Sequence, residues 1–220
     1  MQPILSRTPL KQVICLNGIY MIGGVSGTGK SSIARKVSEI EGLPYTSTGN
    51  EMALALGLRD YRRISEAVES LSREEFSDVN RYIWDRIMQR EGIIDGHYSM
   101  RFHGDFVFPI PEEYVTLLAG TILVDDSSGN ILKNRLKDRR LRPDRRFDMG
   151  SIEEEKRNEI DGLRSVREVY KGITGEYMKT LWCYKNNNLM FAIDRICNFI
   201  EGGPVSVDRE KLYMGEVRVF

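Results

Sequence analysis

A glycine-rich stretch, GGVSGTGKSS at residues 23–32, directly follows a short apolar run at residues 19–22. Residues 24–31 fit the pattern G-x-x-x-x-G-K-[ST] at every fixed position. Glycines in such a loop let successive backbone N–H groups point into an anion-sized hollow, which the positive end of the next helix also faces. Lys30 is then expected to reach the β- and γ-phosphates of a nucleoside triphosphate, and the Ser31 hydroxyl to bind Mg²⁺. The predicted phosphate-binding residues are Gly24, Val25, Ser26, Gly27, Thr28, Gly29, Lys30, Ser31 and Ser32.

A carboxylate is expected beside this loop. Asp95 ends a second apolar run, GIID, and a parallel strand next to the loop would bring that carboxylate near the magnesium ion. The alternative interpretation is that Asp95 caps a turn with Gly96. We favour the metal site, with Ser31 and Asp95 as its predicted residues.

A run of basic residues between positions 133 and 146 is the third candidate. Guanidinium groups on a mobile arm can stabilise the charge of a transferring phosphoryl group and exclude water, and Pro143 and Gly150 suit a hinged arm. A solvated helix face is the simpler alternative. Nucleic-acid binding is the weaker one, because Phe147 is the only aromatic residue nearby. The run contains Lys133, Arg135, Lys137, Arg139, Arg140, Arg142, Arg145 and Arg146.

Polar residues that follow Asp95 are candidates for binding an acceptor. His97, Arg101 and His103 come within eight positions of the predicted strand end. A single histidine near a strand end can equally be a hydrogen-bonded structural residue. Both interpretations of the histidines therefore stay open.

The elements that must position these residues alternate along the chain. Apolar runs predict strands at 19–22, 93–95, 121–126 and 180–184, with an extended piece at 43–48. Helical spacing predicts helices from 31 to about 41, near 51–57, at 130–140 and at 192–200. Ser72 with Glu75, and Ser151 with Glu154, form candidate capping boxes for two longer helices. Such alternation predicts a parallel sheet wrapped on both faces by helices.

At 220 residues the chain fits one α/β domain better than two. We assign this domain to residues 1–204, with the first 16–18 residues outside the main sheet and the arginine-rich lid at about 139–150. Residues 13–22 also fit a local hairpin. Residues 205–220 are predicted to be a C-terminal extension: an ordered surface segment, a hairpin or an oligomer contact.

Composition narrows the range of partners and compartments. Lys plus Arg and Asp plus Glu both total 32, so no overall field attracts nucleic acid or an anionic membrane. No apolar run approaches the roughly 20 residues that span a bilayer, and no secretion signal is evident, so we expect a cytoplasmic protein. The odd number of cysteines, Cys15, Cys183 and Cys197, without C-x-x-C spacing favours buried, reduced thiols over a metal or redox site.

Together these pieces resemble the nucleoside monophosphate kinases, and among them the archaeal-type adenylate kinases most closely. The resemblance extends from about residue 19 to residue 200. Its elements are GGVSGTGKSS, TSTGNEM, LSREEFSDVNRYIWDRI, IIDGHYSM, RLKDRRLRPDR and VYKGITG. Only the first element is specific by itself. The rest of the resemblance depends on the order and spacing of the other elements.

The resemblance implies a P-loop fold with a five-stranded parallel sheet, ATP and Mg²⁺ at the loop, and a monophosphate acceptor opposite. In that family the stretch after the second strand helps to form the acceptor site, and lid arginines clamp the phosphates. Transferred to this chain, the acceptor site would include Thr48, Gly49, Asn50, His97 and Arg101. The catalytic residues would be Lys30, Arg139, Arg140 and Arg142. Positioning and charge neutralisation accelerate such transfers without a covalent protein intermediate.

Departures from the family pattern lie on the acceptor and lid sides. Asn50 stands where archaeal relatives tend to carry an acid, Pro143 splits the lid motif, and DGHYSMR moves the arginine two places along. We therefore predict ATP-dependent transfer to a nucleoside monophosphate, with AMP as the favoured acceptor. Another nucleotide or a small phosphorylated metabolite is the alternative acceptor. A regulatory or RNA-associated NTPase is the alternative of another class, although the chain lacks the N-K-x-D guanine motif. The oligomeric state stays open.

Overall fold

The computed structural model of the chain describes residues 18–59, 63–140 and 145–202. Strands in these residues are β1 (Ile19–Gly23), β2 (Tyr45–Ser47), β3 (Gly92–Asp95), β4 (Met100–Phe102), β5 (Asp105–Val107), β6 (Leu118–Asp125) and β7 (Thr180–Tyr184). Helices are α1 (Lys30–Glu41), α2 (Thr48–Ala55), α3 (Ile64–Glu69), α4 (Arg73–Ile87), α5 (Glu112–Val115), α6 (Ser128–Lys137), α7 (Met149–Thr174) and α8 (Leu189–Ile200).

The main sheet is parallel and has the strand order β2, β3, β1, β6, β7. β1 is central, with β3 along one edge and β6 along the other. All five residues of β1 are buried, as expected for a parallel strand covered on both faces. The register places Ile22 beside Asp95 and Gly23 beside Leu123. The loop after β1 therefore starts at the middle of the carboxyl edge of the sheet, where open α/β sheets bind ligands.

Helices cover both faces of this sheet. Ile22 faces a core that includes Ile33 of α1 and Ile196 of α8. Its neighbour Met21 points to the opposite face, because side chains alternate along a strand, and packs in a core that includes Trp84 of α4. The predicted fold class, a five-stranded parallel P-loop sheet with helices on both faces, is confirmed.

Most predicted elements appear within a few residues of their expected bounds. β7 coincides with residues 180–184, and β6 begins at Leu118, ahead of the predicted start at 121. At the start of α4, the Ser72 hydroxyl accepts from the Glu75 N–H at 3.2 Å, and the Glu75 carboxylate accepts from the Ser72 N–H at 2.8 Å. The predicted capping box at Ser72 is confirmed.

The sequence prediction for the start of α7 is wrong. Asp148, not Ser151, is the N-cap, and its carboxylate accepts from the Ser151 N–H at 2.8 Å. Hydrogen bonds from Ser151 lower the pKa of Asp148, because they favour the ionised carboxylate. Glu154 is thereby released from capping and pairs with an arginine instead.

A small antiparallel hairpin of β4 and β5 was not predicted, nor were the short helices α3 and α5. Strands of three residues are too short to show a clear alternation in sequence. His103 has a positive φ of 49° in the hairpin turn, and its N–H donates to Glu69 at 2.8 Å. His103 is therefore part of the turn that closes this hairpin.

Several predictions lie outside the described residues, namely those for residues 1–17, the C-terminal extension from 205, Cys15, and Arg142 with Pro143 in the lid. Cys183 is buried, whereas Cys197 is half-buried. Burial and, to a smaller extent, a hydrogen bond with Glu41 raise the pKa of Cys197 to about 12. Among the residues that are described, no helix is both long and apolar enough to cross a membrane.

Candidate active site

The loop between β1 and α1 curls at the carboxyl edge of the sheet. Gly24 has a φ of 142°, and a Cβ at this position would overlap the carbonyl oxygen of Val124. Gly29 has a φ of 84° and caps α1. Buried Thr28 closes the curl, because its hydroxyl donates to the Val25 carbonyl at 2.9 Å. This backbone shape, opening onto the first turn of a 12-residue helix, is suited to holding phosphate groups.

Lys30 is the first residue of α1 and is 7% exposed. Its Nζ lies 3.1 Å from Nε2 of His97, which follows β3. His97 in turn contacts the Glu159 carboxylate through Nδ1. The structure thus brings His97 to the lysine of the loop, and it adds Glu159, which sequence reasoning missed.

Asp95 lies at the end of β3, next to the strand that precedes the loop, and is 5% exposed. Its Oδ2 accepts from the Tyr45 hydroxyl at 3.0 Å. Burial and then the Asp95 charge raise the pKa of Tyr45, so this hydroxyl remains a donor. The other oxygen, Oδ1, is buried without a hydrogen-bond partner among the described residues. An unpaired buried carboxylate oxygen fits a role as acceptor for a water molecule on Mg²⁺, with Ser31 as the direct ligand.

Residues predicted for the acceptor site lie in the first turn of α2. The Thr48 hydroxyl donates to the backbone carbonyl of Asp95 at 3.3 Å. Gly49 and Asn50 follow and are exposed, and the Asn50 N–H lies 3.5 Å from the Ser47 hydroxyl, which caps the helix. Thr48 therefore joins the end of β3, while Gly49 and Asn50 face solvent.

Arg101, on β4, meets a second arginine at one carboxylate. Its guanidinium donates to Glu154 Oε2 at 3.0 Å, and the Arg146 guanidinium lies 3.7 Å from the same oxygen. All three side chains are between one third and one half exposed. Two cationic groups from different segments thus converge on one partly exposed anionic group.

Two of the predicted lid arginines, Arg139 and Arg140, lie among the described residues and do not contact the loop. Arg139 and Arg140 are exposed, and the Arg139 guanidinium lies 5.3 Å from the centre of the Phe147 ring. Arg145 lies 3.6 Å from Asp138, which joins the two ends of the arm. The clamp role of Arg139 and Arg140 therefore stays a prediction.

Arg135 is the arginine of the basic run that turns inward, and sequence reasoning did not single it out. It is 1% exposed, its Nε donates to the Ser26 carbonyl at 2.8 Å, and its guanidinium pairs with Glu155. Asn134 donates to the Gly27 carbonyl at 2.9 Å. The helical period could have predicted this burial, because Arg135 lies four residues after buried Ile131 and so shares its face of the helix.

A buried ion pair lies near Gly29, at the end of the loop. Lys185 donates to Asp126 Oδ2 at 2.5 Å, and these residues are 5% and 0% exposed. Burial alone would raise the pKa of Asp126, but hydrogen bonds from Asn130, Lys185 and Ser127 outweigh it and lower the pKa. The Lys185 side chain passes 3.9 Å from the position of a Cβ on Gly29.

Comparisons with known proteins agree with this geometry. A family model described as an AAA domain matches residues 23–154, which is more than half of the chain. The shikimate kinase of Caulobacter vibrioides (strain NA1000 / CB15N) is 35% identical over 65 residues. That matched segment covers only 30% of this chain and 30% of the relative.

Solved structures of shikimate kinases share the fold. The enzyme from Bacteroides thetaiotaomicron superposes with a TM-score of 0.56 at 11% identity, covering 84% of this chain and 98% of that one. The enzyme from Aquifex aeolicus gives a TM-score of 0.53 at 15% identity, with coverages of 84% and 96%. At these identities the likeness concerns the fold alone. The family match and the sheet, loop and lysine together lead to one conclusion: the chain belongs to the AAA-domain family and has the P-loop kinase fold.

Proposed function

We propose that this chain transfers the γ-phosphoryl group of ATP to a small anionic metabolite. The observation that carries this proposal is the convergence of Arg101 and Arg146 on Glu154, and Arg135 links Arg146 to the loop by donating to the carbonyls of both Arg146 and Ser26. Arginine pairs of this kind bind carboxylates and phosphates. An acceptor with such a group would take the place of Glu154 and lie on the His97 side of the loop.

Phosphoryl transfer asks the protein to position two substrates and to neutralise charge. The loop N–H groups and Lys30 would hold the triphosphate, and bound Mg²⁺, held by Ser31 and through water by Asp95, would neutralise phosphate charge. An acceptor hydroxyl oxygen would attack the γ-phosphorus as the bond from that phosphorus to the β-phosphate oxygen breaks, which leaves ADP, the phosphorylated acceptor and one released proton. None of these roles needs a covalent intermediate on the protein.

A small metabolite is favoured over a nucleotide by the matched relatives. The sequence relative described above and the two solved structures compared above are shikimate kinases, which supports an acceptor of metabolite size here.

AMP is the second candidate acceptor. Its specific support is the contact of Thr48 with the Asp95 carbonyl, which brings the first turn of α2 to the edge of the sheet where transfer would occur. This is the stretch that the resemblance to adenylate kinases assigns to the acceptor. A shared edge for Thr48, His97 and Lys30 suits either acceptor.

An acceptor screen tests the proposal directly. Purified protein is incubated with ATP and Mg²⁺ and one of three groups: nucleoside monophosphates, phosphorylated sugars, or hydroxylated carboxylic acids such as shikimate. Products are separated by chromatography, and Lys30→Ala is the control. We expect ADP and one phosphorylated metabolite, both lost in the control.

Other outcomes have clear meanings. Conversion of AMP to ADP, so that two molecules of ADP form from each ATP and AMP, would establish the adenylate kinase activity instead. ATP hydrolysis without any phosphorylated acceptor would contradict the kinase proposal and favour a regulatory NTPase. RNA-stimulated hydrolysis that weakens with added salt would favour the RNA-associated alternative.

A further inference from the structure

Glu159 is a buried carboxylate in the middle of α7, with a side chain that is 4% exposed. Its two oxygens are used by consecutive residues, because Oε1 contacts Nδ1 of His97 and Oε2 accepts from the Tyr98 N–H at 2.8 Å. A buried carboxylate needs such partners to offset its lost hydration. Its position between α7 and the residues after β3 is therefore fixed at both oxygens.

The Tyr98 end of this arrangement is anchored in the sheet. The Tyr98 hydroxyl donates toward the Met21 carbonyl at 2.9 Å and accepts from the Ile122 N–H at 3.0 Å, so it bridges β1 and β6. A Cβ on Gly162 of α7 would overlap the Tyr98 carbonyl. The missing side chain at Gly162 is what lets α7 approach closely enough for Glu159 to reach Tyr98.

The hydrogen bonds determine which imidazole nitrogen carries a hydrogen. An ionised carboxylate only accepts, so the contact with Glu159 places the hydrogen of neutral His97 on Nδ1. Nε2 is then an acceptor, and it faces the Lys30 ammonium at 3.1 Å. An ammonium group has three donors, so Lys30 can keep this bond while its other donors bind phosphate oxygens.

We propose that Glu159 is a positioning residue for the nucleotide site, acting through His97 to hold Lys30 over the phosphate-binding loop. Glu159 fixes the imidazole, and the imidazole orients the ammonium before a nucleotide arrives. Less side-chain conformational freedom is then lost on binding, which increases affinity. This inference rests on the proposed function only in taking ATP as the nucleotide.

The test measures binding of a non-hydrolysable ATP analogue with Mg²⁺ to the full chain by calorimetry, without any acceptor. Glu159→Gln keeps the shape, and its amide oxygen can still accept from Tyr98. Its amide nitrogen, however, donates to Nδ1, so Nε2 must carry the hydrogen and faces Lys30 as a second donor. We expect affinity to fall by about tenfold or more, as for loss of one hydrogen bond to a charged group.

A double-mutant cycle separates this route from a loss of charge or of structure. In the His97→Ala background, Glu159→Gln should change affinity less than about threefold, because the imidazole that transmits its effect is gone. His97→Asn is a second variant, since its amide can contact Glu159 but cannot reach Lys30, and it should weaken binding as much as His97→Ala. Glu168→Gln, on the exposed face of α7, controls for charge and should bind normally.

Two results would overturn the inference: unchanged affinity in Glu159→Gln, or an equal loss with and without His97. A native chain that does not bind the analogue would overturn the proposed function as well. A native chain that binds the analogue and phosphorylates an acceptor, alongside a Glu159→Gln variant that binds equally well, would overturn the positioning role alone.

Discussion

Arg135 donates to the carbonyl oxygen of Ser26 at 2.8 Å and, from the same guanidinium, to the carbonyl oxygen of Arg146 at 2.9 Å. Ser26 lies in the phosphate-binding loop, and Arg146 lies at the end of the arginine-rich arm. One buried side chain therefore joins the loop to the arm, and the planar fork of arginine is what allows both contacts.

Replacing Arg135 tests this connection. Arg135→Met leaves Glu155 and two loop or arm carbonyls without their donor, and we expect the free energy of unfolding to fall by about 3 kcal/mol. Denaturant unfolding measures the loss, and calorimetry should show weaker ATP binding. Arg139→Met is the matched control on the exposed arm and should stay within about 0.5 kcal/mol of the native chain. Similar losses in the two variants would contradict the prediction.

Removing Asp95 should separate metal-dependent from metal-independent nucleotide binding. In Asp95→Ala we expect ATP affinity in the presence of Mg²⁺ to fall by about 10- to 100-fold, the usual effect of losing a group that orients a metal site. With EDTA present, the variant and the native chain should bind ATP about equally. Titration of a fluorescent ATP analogue with and without Mg²⁺ makes the comparison. A loss of the same size in EDTA would show that Asp95 does not act through the metal.

The Asp126–Lys185 pair predicts a dependence of stability on pH. The folded pKa of Asp126 lies below its ordinary value near 3.8, so the ionised form stabilises the fold above that pH. This contribution is lost as pH falls through the ordinary value toward the lower folded pKa. Urea unfolding between pH 6 and 3 should therefore show a shallower loss in Asp126→Asn than in the native chain. Parallel curves would refute the role of this carboxylate.

Two glycines of α7 give a matched pair of substitutions. A Cβ on Gly162 would overlap the Tyr98 carbonyl, whereas a Cβ on Gly172 meets nothing within 4 Å. We expect Gly162→Ala to lower the free energy of unfolding by about 1 to 3 kcal/mol. Gly172→Ala should raise it by up to about 1 kcal/mol, because alanine favours helix. Thermal unfolding measures both, and equal shifts would contradict the close approach at Tyr98.

The part of the site that could be predicted is the part with a local signature. The change from strand to helical period around GGVSGTGKSS, with glycine at the special backbone positions, determines the loop without long-range information. Asp95 could be placed beside it because it ends an apolar run, and parallel strands end at one edge.

The remainder depends on contacts between distant segments. Glu159 and Arg135 lie in charge-rich helices, where neighbouring acids and bases look alike in sequence and only packing decides which one turns inward. Glu159 is 62 positions from His97, and Arg135 is 109 positions from Ser26. The wrong capping prediction at Ser151 has a local cause. Asp148 competes with Glu154 for the Ser151 N–H group, and it is Asp148 that accepts the hydrogen bond.

Within two turns, four residues of the 26-residue helix α7 contact four different residues in and around the candidate site. Glu154 meets Arg101, Glu155 meets Arg135, Lys156 donates to the Asp126 carbonyl at 2.9 Å, and Glu159 meets His97. A helix segment of this length moves as a rigid rod, so these contacts would break together rather than one by one. Amide protons of the loop at 24–30 and of α7 at 154–160 should consequently exchange with solvent through a shared opening, as one cooperative unit of local unfolding.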